Sequence, residues 1–228
     1  MSSTVPTALL LDFGSVISKS LFETIDAIES AYGLEPDTLN WYGPFAPERD
    51  SLWRAMQAGE MSERNYWARR CGQLGEMTGQ HLEMIDIIRA SRGPAPEKCL
   101  RPQAIEAISR AKQMGARLGI LSNELELFYG AETLAKISVL GEFEHIIDAT
   151  TTDILKPDPR AYAMAREAFD LPAEQIVFVD DQLKNIQGGR AYGFDCIHFD
   201  VHQPEMSFSK TLSRLNVLAT REPNEHAG

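Results

Sequence analysis

LLLDFGSV at residues 9–16 is an apolar run that ends on an acid. Three further segments share that form: GILSN at 119–123, LKPDP at 155–159 and FVDDQLKN at 178–185. In each, an apolar run or the loop after one leads to a polar residue able to act on phosphate or on a cation. Short apolar runs bounded by polar residues or Gly read as buried strands of a parallel sheet. Ligands of such a sheet gather outside the carboxyl ends of its strands. Asp12, Ser122, Lys156 and the pair Asp180 and Asp181 are therefore expected to converge on one crevice, although they span most of the chain.

The first strand covers about 7–12, and the next convincing one, ARLGIL at 116–121, lies roughly a hundred residues later, whereas a βα crossover needs only a few tens. Something is inserted between them. Residues 20–90 carry helical signals: FETIDAIESAYG closing at Gly33, DSLWRAMQAG closing at Gly59, SERNYWARRCG opening on a Ser cap, and GQHLEMIDIIRAS. Trp41, Tyr42 and Phe45 lie in an apolar loop between them and fit the core of the insert better than a substrate pocket. SRGPAPEK at 91–98 reads as a linker. Helices at 102–114, 124–139, 159–169, 183–192 and 204–217 then alternate with strands at 116–121, 144–149, 175–180 and 195–200. This alternation predicts an α/β fold: a doubly wound, Rossmann-like parallel sheet core. The expected division is 1–17 and 93–220 for the core, 18–92 for an inserted helical domain, and 221–228 for a flexible polar tail.

A chain of 228 residues suits one or two domains with a real core, and 43% hydrophobic with 24% charged residues is an ordinary globular composition. The net charge of −11 argues against nucleic acid or an anionic membrane as partner, since both need a basic face. Phosphate is still compatible with it, if the site itself holds a cation and a Lys. Cys71, Cys99 and Cys196 are odd in number and widely spaced, which reads as free thiols in a reducing compartment. The first residues lack a basic region, and their apolar run is short for a signal peptide; no run reaches transmembrane length. The expectation is a cytoplasmic protein, monomer or homodimer.

Local chemistry leaves alternatives at each motif. Asp12 at a strand end suits a nucleophile, or a cap of the following turn. Asp180 and Asp181 suit a hard cation such as Mg²⁺, or Asp181 caps the helix after it. Ser122 and Asn123 suit an anion site at a helix start, or a plain cap. Asp158 and Pro159 read as N-cap and first helical residue, which leaves Lys156 on a stiff loop. The five His residues are dispersed; His81, His198 and His202 pair with no nearby Cys or Asp and read as ordinary surface or core positions.

Taken together and in this order, the four motifs resemble the signature of the haloacid dehalogenase-like hydrolase superfamily, over about residues 5–200. The resemblance implies that Asp12 is the nucleophile and Lys156 its catalytic partner, with Ser122, Asn123 and Lys156 on the phosphate. It implies Mg²⁺ held by Asp12, the main-chain carbonyl of Gly14 and Asp181, with Asp180 direct or one step behind and Asn185 bracing the acidic pair. The helical insert then resembles a cap domain that closes over the site. A small phosphorylated metabolite is the implied partner.

One position departs from the pattern. Phosphatases of the family usually carry a second Asp two residues after the nucleophile, and this chain has Gly14. General acid–base help of that kind is worth about a hundred- to ten-thousandfold in rate. Glu60 of the insert is a candidate substitute. Three readings follow. The expected one is a Mg²⁺-dependent phosphatase working through an aspartyl-phosphate. A non-catalytic or weakly active binding protein would be consistent with Gly14. A metal-independent 2-haloacid dehalogenase would be consistent with Gly14 and the Ser–Asn pair, but not with two adjacent carboxylates.

Overall fold

The structure is a computed structural model that describes residues 5–93 and 95–220; the tail expected at 221–228 lies outside the described residues. Along the chain the elements are β1 (Ala8–Leu11), α1 (Ile25–Ala31), α2 (Ser51–Gln57), α3 (Glu63–Thr78), α4 (Met84–Arg92), α5 (Pro102–Gln113), β2 (Arg117–Ser122), α6 (Leu125–Tyr129), α7 (Ala131–Leu134), β3 (His145–Asp148), α8 (Ala149–Thr152), α9 (Pro159–Phe169), β4 (Ile176–Asp180), α10 (Leu183–Tyr192), β5 (Asp195–His198) and α11 (Pro204–Ala219). They divide into two compact units. One holds the described residues up to Ser18, Leu100–Leu125 and those from Ser138 on; the other holds Lys19–Cys99 and Glu126–Ile137.

The first unit is the expected α/β core. Its five strands run in the order β3-β2-β1-β4-β5, and every pairing is parallel. Leu9, Leu10 and Leu11 are completely buried, as a central strand covered on both faces requires. Alternate side chains serve opposite faces. Ala8 and Leu10 join a core with Ala161, Tyr162, Ala165 and Phe169 of α9 and Ile186 of α10. On the sheet as well, α5 packs against α11, and both touch strands. A Cβ at position 119 of β2 would sit 2.5 Å from Phe169 Cζ, so only Gly leaves room for that ring. Truncating a buried Phe of this kind costs about 3–5 kcal/mol.

Within the second unit α1 packs on α4, α2 on α3, and α3 on α4. Ser62 caps α3 as its sequence suggests, its hydroxyl accepting from Asn65 N at 3.2 Å. Asp50 is buried and caps α2 through Trp53 N at 2.9 Å; its carboxylate also accepts from Tyr42 N and Gly43 N and pairs with Arg70 at 2.5 Å. That anchor fixes the apolar loop and puts Trp41 in the unit's interior, while Phe45 is left exposed. Glu60 is exposed. One expectation fails locally: the helix at 124–139 is broken into α6 and α7. Gly130 sits at the break with φ +72°, a conformation that ends a helix and that L side chains avoid. Residues 126–137 then group with the inserted helices, whereas the sequence placed them with the core.

Candidate active site

The strand order reverses beside β1. The chain runs outward through β2 and β3, then returns to the other side of β1 as β4 and β5. This switch point is where an open parallel sheet leaves a crevice at its carboxyl ends. Leu11 pairs with Val179, and the Asp12 N–H donates to Val179 O at 2.9 Å, so Asp12 and Asp180 emerge side by side.

After Asp12 the backbone makes a tight turn. Gly14 is extended (φ −63°, ψ 137°) and Ser15 adopts φ +61°, a left-handed conformation that is costly for a residue with a side chain. The turn is closed by Ser18 N donating to Phe13 O, and the Ser15 carbonyl accepts from Arg101 Nε at 2.9 Å. Arg101 is buried beneath it. The Asp12 carboxylate makes no cap hydrogen bond to this turn.

Lys156 is the centre of the cluster. It is 4% exposed, and its ammonium donates to Asp12 Oδ1 at 2.9 Å, Leu121 O at 2.7 Å and Asp180 Oδ2 at 2.7 Å. An ammonium has three donors, and these partners occupy all three. Burial alone would lower its pKa, but the charges of Asp12 and Asp180, with the hydrogen bonds from them, outweigh it and hold Lys156 above the ordinary lysine range. It is a permanent cation that fixes two carboxylates. Its loop is held in turn by Asn123, whose Oδ1 accepts from Lys156 N at 2.7 Å while its Nδ2 donates to Lys156 O at 3.2 Å. The Asn123 amide thereby positions Lys156, with one N–H of Nδ2 left over. The first N–H of α6 goes to Asp148 Oδ1 at 3.1 Å. Ser122 ends β2, buried, opposite Asp148 in the ladder.

Asp180 is fully buried and well supported. Besides Lys156, its carboxylate accepts from Gln182 N at 2.8 Å and from Asn185 Nδ2 at 3.1 Å to each oxygen. Asn185 thus braces the acidic pair, and its own Oδ1 is a buried acceptor without a hydrogen-bond partner. Asp181 is half-buried, and α10 starts from Gln182 without a side-chain cap, so Asp181 is not a helix cap. Oxygens of Asp12, Asp180 and Asp181 lie within 4.8 Å of one another. Three carboxylates converge here beside the Lys156 ammonium, and an all-oxygen donor set of that kind suits a hard dication. Mg²⁺ fits these residues.

Three participants escaped the sequence reading. Arg101 gave no signal, standing in no motif. Asp148 is an acid at the end of a strand, the same signal that singled out Asp12 and Asp180. His198, taken as an ordinary position, reaches Asp181 from the end of β5, its Nε2 donating to the main-chain oxygen at 3.0 Å.

The model of the haloacid dehalogenase-like hydrolase family matches residues 8–193. The chain belongs to that family. Haloacetate dehalogenase H-2 of Moraxella sp. (strain B) is 35% identical to this hydrolase over 97 residues, 41% of each chain. A phosphoglycolate phosphatase of Pseudomonas savastanoi pv. phaseolicola is 29% identical over 122 residues, 54% of this chain and 44% of the relative. The hydrolase therefore spans less than half the length of these two relatives. The L-2-haloacid dehalogenase RSc1362 shares the fold, with a TM-score of 0.60 at 21% identity over 93% of this chain and 100% of that one. Relatives of both chemistries thus surround this haloacid dehalogenase-like hydrolase. Among its described residues no helix is long and apolar enough to cross a membrane.

Proposed function

We propose that this hydrolase is a Mg²⁺-dependent phosphatase that cleaves a small phosphorylated metabolite through an aspartyl-phosphate on Asp12. The observation that carries the reading is the mutual approach, within 4.8 Å, of three carboxylates at the carboxyl ends of two neighbouring strands. A carboxylate substrate brought to that cluster would meet three like-charged groups, a repulsion that a bound cation would relieve for a phosphate.

Asp12, Asp180 and Asp181, with the main-chain carbonyl of Gly14, would hold the ion. When bound, Mg²⁺ supplies charge neutralisation to the phosphate oxygens. The remaining work belongs to the chain. Lys156 holds Asp12 Oδ1, so the carboxylate is oriented before substrate arrives. An Asp12 oxygen then forms a bond to phosphorus as the ester P–O bond breaks, and the leaving oxygen takes the electron pair. Water next attacks the acyl phosphate, releasing inorganic phosphate and restoring the carboxylate. Ser122 and main-chain N–H groups beside it would receive the phosphate. Lys156 would join them only by giving up one of its present bonds.

A second reading, hydrolytic dehalogenation of a 2-haloacid, draws on Gly14 and on the likeness to haloacetate dehalogenase H-2. One screen separates the two: phosphate release from aryl, acyl and sugar phosphates, and halide release from 2-chloropropionate, each with Mg²⁺ and with EDTA. Phosphate release that needs Mg²⁺ and is lost in Asp12→Asn supports the proposal. Halide release unaffected by EDTA would replace it.

A further inference from the structure

Arg92 ends α4 in the inserted unit and is only 6% exposed. Its Nη2 donates to Lys19 O at 2.7 Å and reaches Tyr129 Oη at 3.5 Å. Its Nε and Nη1 are shut away from water with no hydrogen-bond partner at all. Of the five guanidinium hydrogens, the one on Nε and the two on Nη1 are therefore unmet. No carboxylate pairs with Arg92 among the ion pairs of the described residues.

This is unlike the unit's other buried arginine. Arg70 also leaves its Nε unmet, but its charge is answered by Asp50 at 2.5 Å. A buried charge is normally paired, because removing it from water is expensive and an unmet donor adds to the cost. In a chain of net charge −11, an acid opposite Arg92 would be easily supplied. Cys99 nearby feels Arg92 and Lys19 as cations that lower its pKa against the larger upward push of burial.

We propose that the Arg92 guanidinium is an anion-binding group of the inserted unit, taking an oxyanion of a small molecule, carboxylate or phosphate, on its Nε and Nη1 donors. The planar fork suits both, and charge-assisted bonds to an oxyanion are about twice as strong as neutral ones. The Lys19 carbonyl on Nη2 holds the guanidinium in place. Access needs a local opening at the end of α4, where Gly93 leaves the helix with φ +60°. The inference does not depend on which bond the hydrolase cleaves.

The test uses the full-length, ¹⁵N-labelled protein and follows the arginine Nε–H resonances, with that of Arg92 assigned by its loss in Arg92→Lys. Inorganic phosphate and acetate are titrated separately. Expected is a saturable shift of the Arg92 resonance with at least one of them, and a Kd at least tenfold weaker in Arg92→Lys, followed through backbone amides around Tyr129. Which probe binds identifies the source of the oxyanion. Thermal melts provide a second readout: the anion should raise the Tm of the wild type more than that of Arg92→Met, since any phosphate bound beside Ser122 is common to both. An Arg92 resonance indifferent to both anions would overturn the proposal. So would melts in which Arg92→Met is strongly destabilised and both proteins respond equally to anion, the pattern of a structural arginine.

Discussion

Replacing Lys156 with Met tests the electrostatic reading of the site most directly. The substitution keeps the side chain's length and deletes its charge. Asp180, completely buried, would lose the partner 2.7 Å from Oδ2 and keep only Gln182 N and the Asn185 amide. Removing one member of a buried pair costs about 3–5 kcal/mol, because the other charge is stranded. In a protein of this size each kcal/mol moves Tm by roughly 2–4 °C, so the variant should melt about 6–20 °C lower. Asp180→Asn should cost less, about 1.5–3 kcal/mol, since Lys156 keeps Asp12 and the Leu121 carbonyl. The double variant strands no charge at Asp180, so the two effects should fall short of additive by about 1–3 kcal/mol. Urea denaturation of all four proteins at pH 7 measures the cycle. Acidity adds a check. Lys156 has a raised pKa in the folded protein, so its contribution is fully present below the ordinary lysine pKa and is lost only as pH rises through the folded value. The wild type therefore loses nothing through Lys156 between pH 5 and pH 9. A cost under about 1 kcal/mol, or strictly additive effects, would show that Lys156 does not hold the cluster together, against the buried-pair argument.

Asp181→Asn should weaken Mg²⁺ binding at least tenfold by calorimetry while leaving the near-ultraviolet circular dichroism unchanged; equal affinity would remove Asp181 from the donor set. At Gly14 an added Cβ meets nothing within 4 Å and φ is −63°, so Gly14→Asp should fold normally. If the new carboxyl supplies the missing proton, a plot of log(kcat/KM) against leaving-group pKa should become flatter, because poor leaving groups need the proton most. Identical slopes would mean that another residue already donates it. Burial raises the thiols of Cys71 to about 11 and Cys196 to about 12. Unfolded thiols ionise lower, so stability should decline as pH rises from about 9 towards those values, and the decline should be shallower in Cys71→Ala/Cys196→Ala by urea midpoints.

The sheet was legible because its signal is simple. LLLD and IVFVD are apolar runs capped by an acid, and a parallel sheet brings such ends together whatever their separation in sequence. Asp12, Lys156, Asp180 and Asn185 meet as their motifs suggested. Two things were hidden. The role of Asn123 depends on a pair of hydrogen bonds to a loop 33 residues away, and no local pattern distinguishes that clamp from a phosphate contact. The break at Gly130 was hidden by good helix formers on either side, and a single Gly inside an otherwise helical pattern is ambiguous until its φ is known. Arg92 was silent for a third reason: an arginine near the end of a helix is commonplace, and only its burial without an acid makes it unusual.

The inserted unit is not a cassette. It is assembled from two stretches of chain, so the polypeptide passes between units four times, after residues 18, 99, 125 and 137. The shorter stretch brings Tyr129 to Arg92, and Gly130 against Ile85 so closely that a Cβ there would lie 2.8 Å from the Ile85 side chain. During synthesis the helices of 19–99 must wait for the segment beyond β2 before their packing is complete, which ties the maturation of the insert to that of the sheet. Recombination faces the same constraint. A graft of 19–99 alone into a sister protein would arrive without one of its walls, so exchange of the whole unit requires two coordinated replacements, and point substitution inside an existing insert is the shorter evolutionary path to a changed surface.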